Sequence, residues 1–131
     1  MERGNVNPWS WQNGFGFSQA VTVTGAERVV YCAGQASVDA EGRPLHVGDI
    51  RAQVDQSFDN LETVLAVAGL SLANVVRLCY YTTDIDVLFA NWDAIANRLT
   101  RAGIQPASSL LGVTRLAFPE NLIEIEATAV A

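Results

Sequence analysis

Along the chain the apolar positions change period several times, and each change marks an element. Phe17–Thr24 and Arg28–Ala33 alternate or run in β-branched and aromatic residues, with Gly25-Ala26-Glu27 between them. They predict two strands joined as a hairpin. From Asp49 the repeat lengthens: Ile50, Val54, Phe58, Leu61, Leu65 and Ala68 recur every three or four residues, with Arg51, Asp55, Asp59 and Glu62 off the stripe. That spacing predicts an amphipathic helix of about 20 residues, opened by Gly48 or Asp49 and stopped by Gly69. Asn74–Thr83 predicts a third strand. Asp84 can cap a second helix over about Val87–Ala102, with Leu88, Trp92, Ile95 and Leu99 on one face and Gly103 as its stop. Two further alternating stretches, Ser108–Leu116 and Leu122–Val130, flank a break at Ala117–Glu120 that contains Pro119. Residues 1–16 show no periodicity and predict a loop, although Trp9, Trp11 and Phe15 in it need something to pack against.

The order β-β-α-β-α-β-β implies an α+β fold, a mixed or antiparallel sheet with two helices on one face. The other sheet face then needs a cover, and copies of the same chain are the expected one. In the last strand Leu122, Glu124, Glu126, Thr128 and Val130 share one face, and Ile123, Ile125, Ala127 and Ala129 the other. Residues in one row stand about 7 Å apart, so Glu124 and Glu126 are neighbours. Two carboxylates on an otherwise apolar strand either face solvent or line a cleft.

Composition narrows the partners. The 131 residues fit one domain, residues 1–131. Net charge is −6, with eight arginines and no lysine. No basic stripe is present, so nucleic acid and anionic membrane surfaces are poor partners. No apolar run spans a bilayer and no signal peptide is visible, which points to the cytoplasm. Cys32 and Cys79 sit in separate apolar strand patterns and read as reduced core thiols rather than a disulfide. His46 is the single histidine, and no second ligand is spaced for a metal site or a triad. No cofactor is expected.

Pro106-Ala107, Val113-Thr114-Arg115-Leu116 and Ile123-Glu124-Ile125-Glu126-Ala127 together resemble the C-terminal signature of the RidA (YjgF-like) family of reactive-intermediate deaminases. Ala33-Gly34-Gln35 resembles the family's small-residue-Gly-Gln element, and the likeness extends over nearly the whole chain. The resemblance implies a chorismate-mutase-like architecture assembled as a homotrimer, with small-molecule ligands bound in clefts between subunits. It implies that Glu124 helps place a water, that Ala33 and Gly34 line the ligand site, and that Phe17 stands at a position often held by Tyr. One departure matters: Ser108 occupies the position where deaminating members carry the arginine that holds the substrate carboxylate. A hydroxyl cannot replace a bidentate guanidinium. Arg115 belongs to a different element and does not substitute. Two readings stay open. The chain is an enzyme for imine-like electrophiles lacking an α-carboxylate, with Glu124 activating water, Ser108 or Ser109 donating a hydrogen bond, and Phe17 and the tryptophans, Trp92 among them, as apolar walls. Alternatively it is a non-enzymatic binder of a small molecule or a protein.

Overall fold

The computed structural model describes all residues, 1–131. It contains six strands, β1 (Glu2–Val6), β2 (Ala20–Thr24), β3 (Val29–Ala36), β4 (Val75–Thr82), β5 (Ala107–Gly112) and β6 (Ile123–Val130). Three helices accompany them: α1 (Ile50–Val67), α2 (Ile85–Ala90) and α3 (Trp92–Ala102). Four strands form the main sheet in the order β3-β6-β4-β5, antiparallel except for the β4–β5 pair. β1 and β2 form a separate antiparallel ribbon. That ribbon reaches the β5 edge through one parallel bridge, Ser18 to Ala107.

The alternation of β6 is resolved as its sequence implies. Ile123, Ile125, Ala127 and Ala129 are buried beneath the helices, and Glu124 and Glu126 face outward. Val54, Phe58, Leu61 and Leu65 of α1 meet them from above, all fully buried. Asp49 caps α1 by accepting from the Ala52 N–H, and Gly69 follows its end at φ 76°. The outer sheet face carries no helix, and Tyr31 on it is 81% exposed.

Four expectations need correction. Residues 2–6 are not loop but strand: ERGNV has no apolar alternation, yet its backbone pairs with β2 from Glu2 opposite Thr24 to Val6 opposite Ala20. Gly4 permits this, since a Cβ there would meet Thr22 Oγ1 at 2.9 Å. Second, β2 and β3 do not form a hairpin. They lie at opposite sides of the sheet, because β3 takes the C-terminal strand as partner and the Glu27 and Arg28 N–H groups donate to the Ala131 carbonyl. Third, the second helix is two helices. Asn91 breaks it, its side chain donating to the Val87 carbonyl at 2.8 Å, a local bond that competes with helix propagation. Fourth, β5 ends at Gly112, and the stretch up to Leu122 is irregular.

That irregular stretch is fastened by Gln53, which is fully buried on α1. Its amide donates to the Glu120 and His46 carbonyls and its oxygen accepts from the Leu122 N–H. Gln53 thereby fixes where β6, and with it Glu124, begins.

Candidate functional site

The predicted site residues fall into two groups on opposite sides of the sheet. The first group is on the outer face. Glu124 stands across from Ala36 on β3 and from Tyr81 on β4. Between Cys32 and Gln35 the β3–β6 register slips, so Ala33 and Gly34 form a bulge against β6. A Cβ placed on Gly34 would overlap the Glu124 carboxylate. Glycine at this position is therefore a space requirement of the glutamate itself. The half-buried Glu124 makes no hydrogen bond or ion pair with the protein. Its neighbour Glu126 is already engaged: the Tyr81 hydroxyl donates to it at 2.8 Å. That bond holds the Tyr81 phenol up to about 12. Of the two carboxylates, Glu124 is the one free to hold a water or a ligand.

The second group lies across the sheet. Ser108 pairs with Leu78, whose side chain is in the core, so it faces the helices. It lines a pocket of about 200 Å³ with Phe17 and Trp92. Ser109 borders this pocket at the edge strand, and its hydroxyl meets the Arg77 guanidinium at 3.5 Å. The remaining walls are Trp11, Phe15, Tyr80, Phe89 and Leu110. The rings meet edge to face: Trp11 and Phe17 have centroids 5.7 Å apart, Tyr80 and Trp92 5.5 Å, Phe15 and Trp92 6.5 Å. The Trp92 indole N–H donates to the Phe15 carbonyl at 3.0 Å, tying the Trp11–Phe15 turn to α3. Trp11 and Phe15 of the N-terminal segment thus find aromatic partners here, although Trp11, like Trp9, stays 60% exposed.

Within one protomer Ser108 and Glu124 do not meet. Their strands are two apart and their register differs by three residues along β4, which puts the Cα atoms roughly 14 Å apart on opposite faces. The Ser108 hydroxyl donates to the Pro106 carbonyl at 3.1 Å, and no base stands beside it. It is not an activated nucleophile.

Other features are structural. A groove of about 540 Å³ runs beside Arg98, which is nearly buried and pairs with Asp59 at 2.9 Å and Glu62 at 3.1 Å. Its guanidinium lies 5.4 Å from the Phe58 ring centre, so the cluster clamps α3 onto α1. No group of three or more His, Cys, Asp or Glu side chains is placed to hold a metal ion. His46 holds a left-handed turn at φ 58°. Cys32 and Cys79 are both buried and unbonded; Cys32 is in the core, whereas Cys79 sits across from Glu126 on the outer sheet face rather than in the core. Tyr80 is the residue the sequence reading missed. Its aromatic neighbours gave no hint that its hydroxyl would be enclosed.

The arrangement of strands and helices agrees with comparisons to known proteins. A family model described as Endoribonuclease L-PSP matches residues 12–131. The chain belongs to the RidA/YjgF family. A crystal structure from the Rid family, YyfB of Yersinia pestis, a protein of unknown function, is 40% identical with a TM-score of 0.87, and each chain is covered completely. A 2-iminobutanoate/2-iminopropanoate deaminase of Dermatophagoides farinae is 30% identical over 118 residues, 87% of this chain and 84% of that one. MMF1 of Saccharomyces cerevisiae, a mitochondrial protein, is 30% identical over 114 residues, 87% of this chain and 74% of that one. No helix of this Rid protein is long and apolar enough to cross a membrane.

Proposed function

We propose that this protein hydrolyses small imines or enamines that lack an α-carboxylate. The observation that carries the reading is Glu124: a carboxylate given room by Gly34, unpaired, beside a glutamate whose partner is already fixed. Such a group can hold a water and accept its proton as the oxygen attacks the imine carbon. The carbinolamine then collapses, the nitrogen leaves as ammonia or amine, and a carbonyl compound remains. The reaction consumes one water for each C=N bond broken. The relative named as a deaminase supports imine chemistry in general. Ser108 argues against its substrates, because no cation lines the aromatic pocket to neutralise a carboxylate. Assembly as a homotrimer brings Glu124, Ala33 and Gly34 of one protomer opposite Ser108, Ser109, Phe17 and Trp92 of the next. The uncovered outer sheet face supports this assembly. RNA cleavage is not part of the reading, since the chain carries −6 and no lysine.

The test is ammonia release from the N–H imine of acetophenone and from 2-iminopropanoate. The first should be turned over and the second hardly at all. Glu124→Gln should lower the rate by about 10²-fold. Ser108→Arg should shift the preference toward 2-iminopropanoate. Equal turnover of both imines by the native chain, or an unchanged rate in Glu124→Gln, contradicts the proposal. Light scattering should give three times the chain mass of 14.1 kDa. The alternative, a non-enzymatic binder, is favoured by one observation, the commitment of the Ser108 hydroxyl to Pro106. Ligand binding without turnover selects it.

A further inference from the structure

The aromatic pocket has a floor, side walls and a rim, and they differ in what they offer a ligand. Tyr80 is 1% exposed and forms the floor. Phe17 and Trp92 are half-buried side walls. Trp11, Phe15 and Phe89 are 60%, 39% and 48% exposed and form the rim. Ser109 belongs to the rim as well, on the edge strand and 3.5 Å from the Arg77 guanidinium. The Tyr80 hydroxyl has essentially no accessible surface, so that residue presents only its ring. The Trp92 indole N–H donates to the Phe15 carbonyl at 3.0 Å, and the Ser108 hydroxyl to the Pro106 carbonyl at 3.1 Å. No charged side chain lines the space. Floor and side walls therefore keep no free hydrogen-bond donor.

That inventory decides which part of a ligand goes in. A carbonyl, an imine nitrogen or a carboxylate carried to the floor loses its water and meets no donor. A hydrocarbon group gains from the burial of its own surface and of the walls. The walls also distinguish an aromatic hydrocarbon from a saturated one. Phe15, Phe89 and Trp92 meet one another at 50–70° with ring centroids 5.9–6.5 Å apart, and a further ring can join that tilted, edge-to-face pattern. At about 200 Å³ the space is below the roughly 300–1,000 Å³ of sites for drug-sized ligands, so it suits one ring.

We propose that this pocket takes one unsubstituted aryl ring by apolar contact alone, and that the polar group attached to the ring stays at the rim. The proposal rests on the imine-hydrolase reading and deepens it: the substrates are aryl imines whose C=N bond remains where water can reach it. The test is independent of turnover and uses ketones, which hydrolysis would leave as products. Acetophenone, cyclohexyl methyl ketone and 4-acetylpyridine are titrated into the full-length protein, followed by calorimetry and by saturation-transfer NMR. Acetophenone should bind. Cyclohexyl methyl ketone, with a saturated ring, should bind about 2- to 10-fold more weakly. The pyridine has the shape of acetophenone but carries an acceptor nitrogen at the end of the ring that reaches the floor, so it should bind about 5-fold more weakly or worse. Phe89→Ala removes a half-exposed rim ring, which the fold should tolerate, and a thermal melt checks this. In the folded variant acetophenone should bind about 5-fold more weakly. Absence of acetophenone binding overturns the proposal. So does a saturated ketone or a pyridine that binds as tightly as acetophenone, or an affinity unchanged in folded Phe89→Ala. Glu124-dependent imine hydrolysis without acetophenone binding sinks this proposal and keeps the hydrolase. Acetophenone binding with the stated preferences, but without any hydrolysis, does the reverse.

Discussion

On the outer side of the sheet, Glu124 and Glu126 are set into a row with Tyr81 across from them, and one carboxylate is paired while the other is free. On the helix side, the pocket walled by Trp92, Phe17 and Tyr80 holds almost no polar atoms, and the phenol it does hold is unpaired. The first region leaves a charge where water can reach it. The second excludes charge and seals a neutral hydroxyl away from water. A polar group without a partner therefore means different things in the two places. Solvent relieves the unpaired Glu124 at small cost, whereas nothing in the protein relieves Tyr80. The chemistry proposed here uses the free carboxylate for the water and the apolar pocket for the substrate body.

The comparison can be broken most forcefully at Trp92. Its indole joins the Trp11–Phe15 turn to α3 and packs on Tyr80, Phe15 and Phe89. Trp92→Ala should destabilise the chain by about 2–3 kcal/mol, less than a fully buried tryptophan because the residue is only half-buried. Urea denaturation measures the change. A Tyr81–Glu126 bond still detectable by tyrosine titration in that variant would show that the two regions are independent.

A second substitution strikes the other side. Gly34→Ala puts a methyl group into the Glu124 carboxylate and forces that side chain to swing away. Stability should fall by about 1 kcal/mol, since the displaced group ends in solvent. Imine hydrolysis should fall by about 10²-fold, because small displacements of a catalytic group are expensive. Equal hydrolysis by Gly34→Ala and the native chain would remove Glu124 from the mechanism.

The smallest expected effect concerns Tyr81. Its phenol is raised from 10 to about 12, first by the hydrogen bond to Glu126 and then by desolvation. A group whose folded value lies above its unfolded value lends stability that is complete below pH 10 and is lost as the pH climbs through about 12. Absorbance at the phenolate band should show a tyrosine titrating near 12. Stability of the native chain should decline more steeply between those limits than that of Tyr81→Phe. Identical slopes would mean that the Tyr81–Glu126 bond does not persist in solution.

What the sequence determined was local. The stripe from Ile50 to Leu65, the alternation Ile123 to Ala129, the cap at Asp84 and the stop at Gly103 each follow from periodicity or from one residue's conformational preference, and each is found. The likeness of Pro106-Ala107 and Ile123–Ala127 to the Rid signature identified the family, and the odd residue at Ser108 was visible as text. Partner choice was not. β3 passes over its neighbour in sequence to pair with a strand about a hundred residues away, because there Val30 and Cys32 join Ala127 and Ala129 in the core beneath the helices. No local turn signal reports such a pairing. The face of Ser108 depended on its register with Leu78, and a one-residue slip would have turned it to the other side of the sheet. Gly34 was legible only as part of the Ala33-Gly34-Gln35 element, and tertiary structure made it a bulge with Glu124 as the group approached. The unpaired phenol of Tyr80 arose last. Whether a tyrosine hydroxyl finds a partner depends on every element packed around it, and its place in the strand fixes only which side of the sheet it faces.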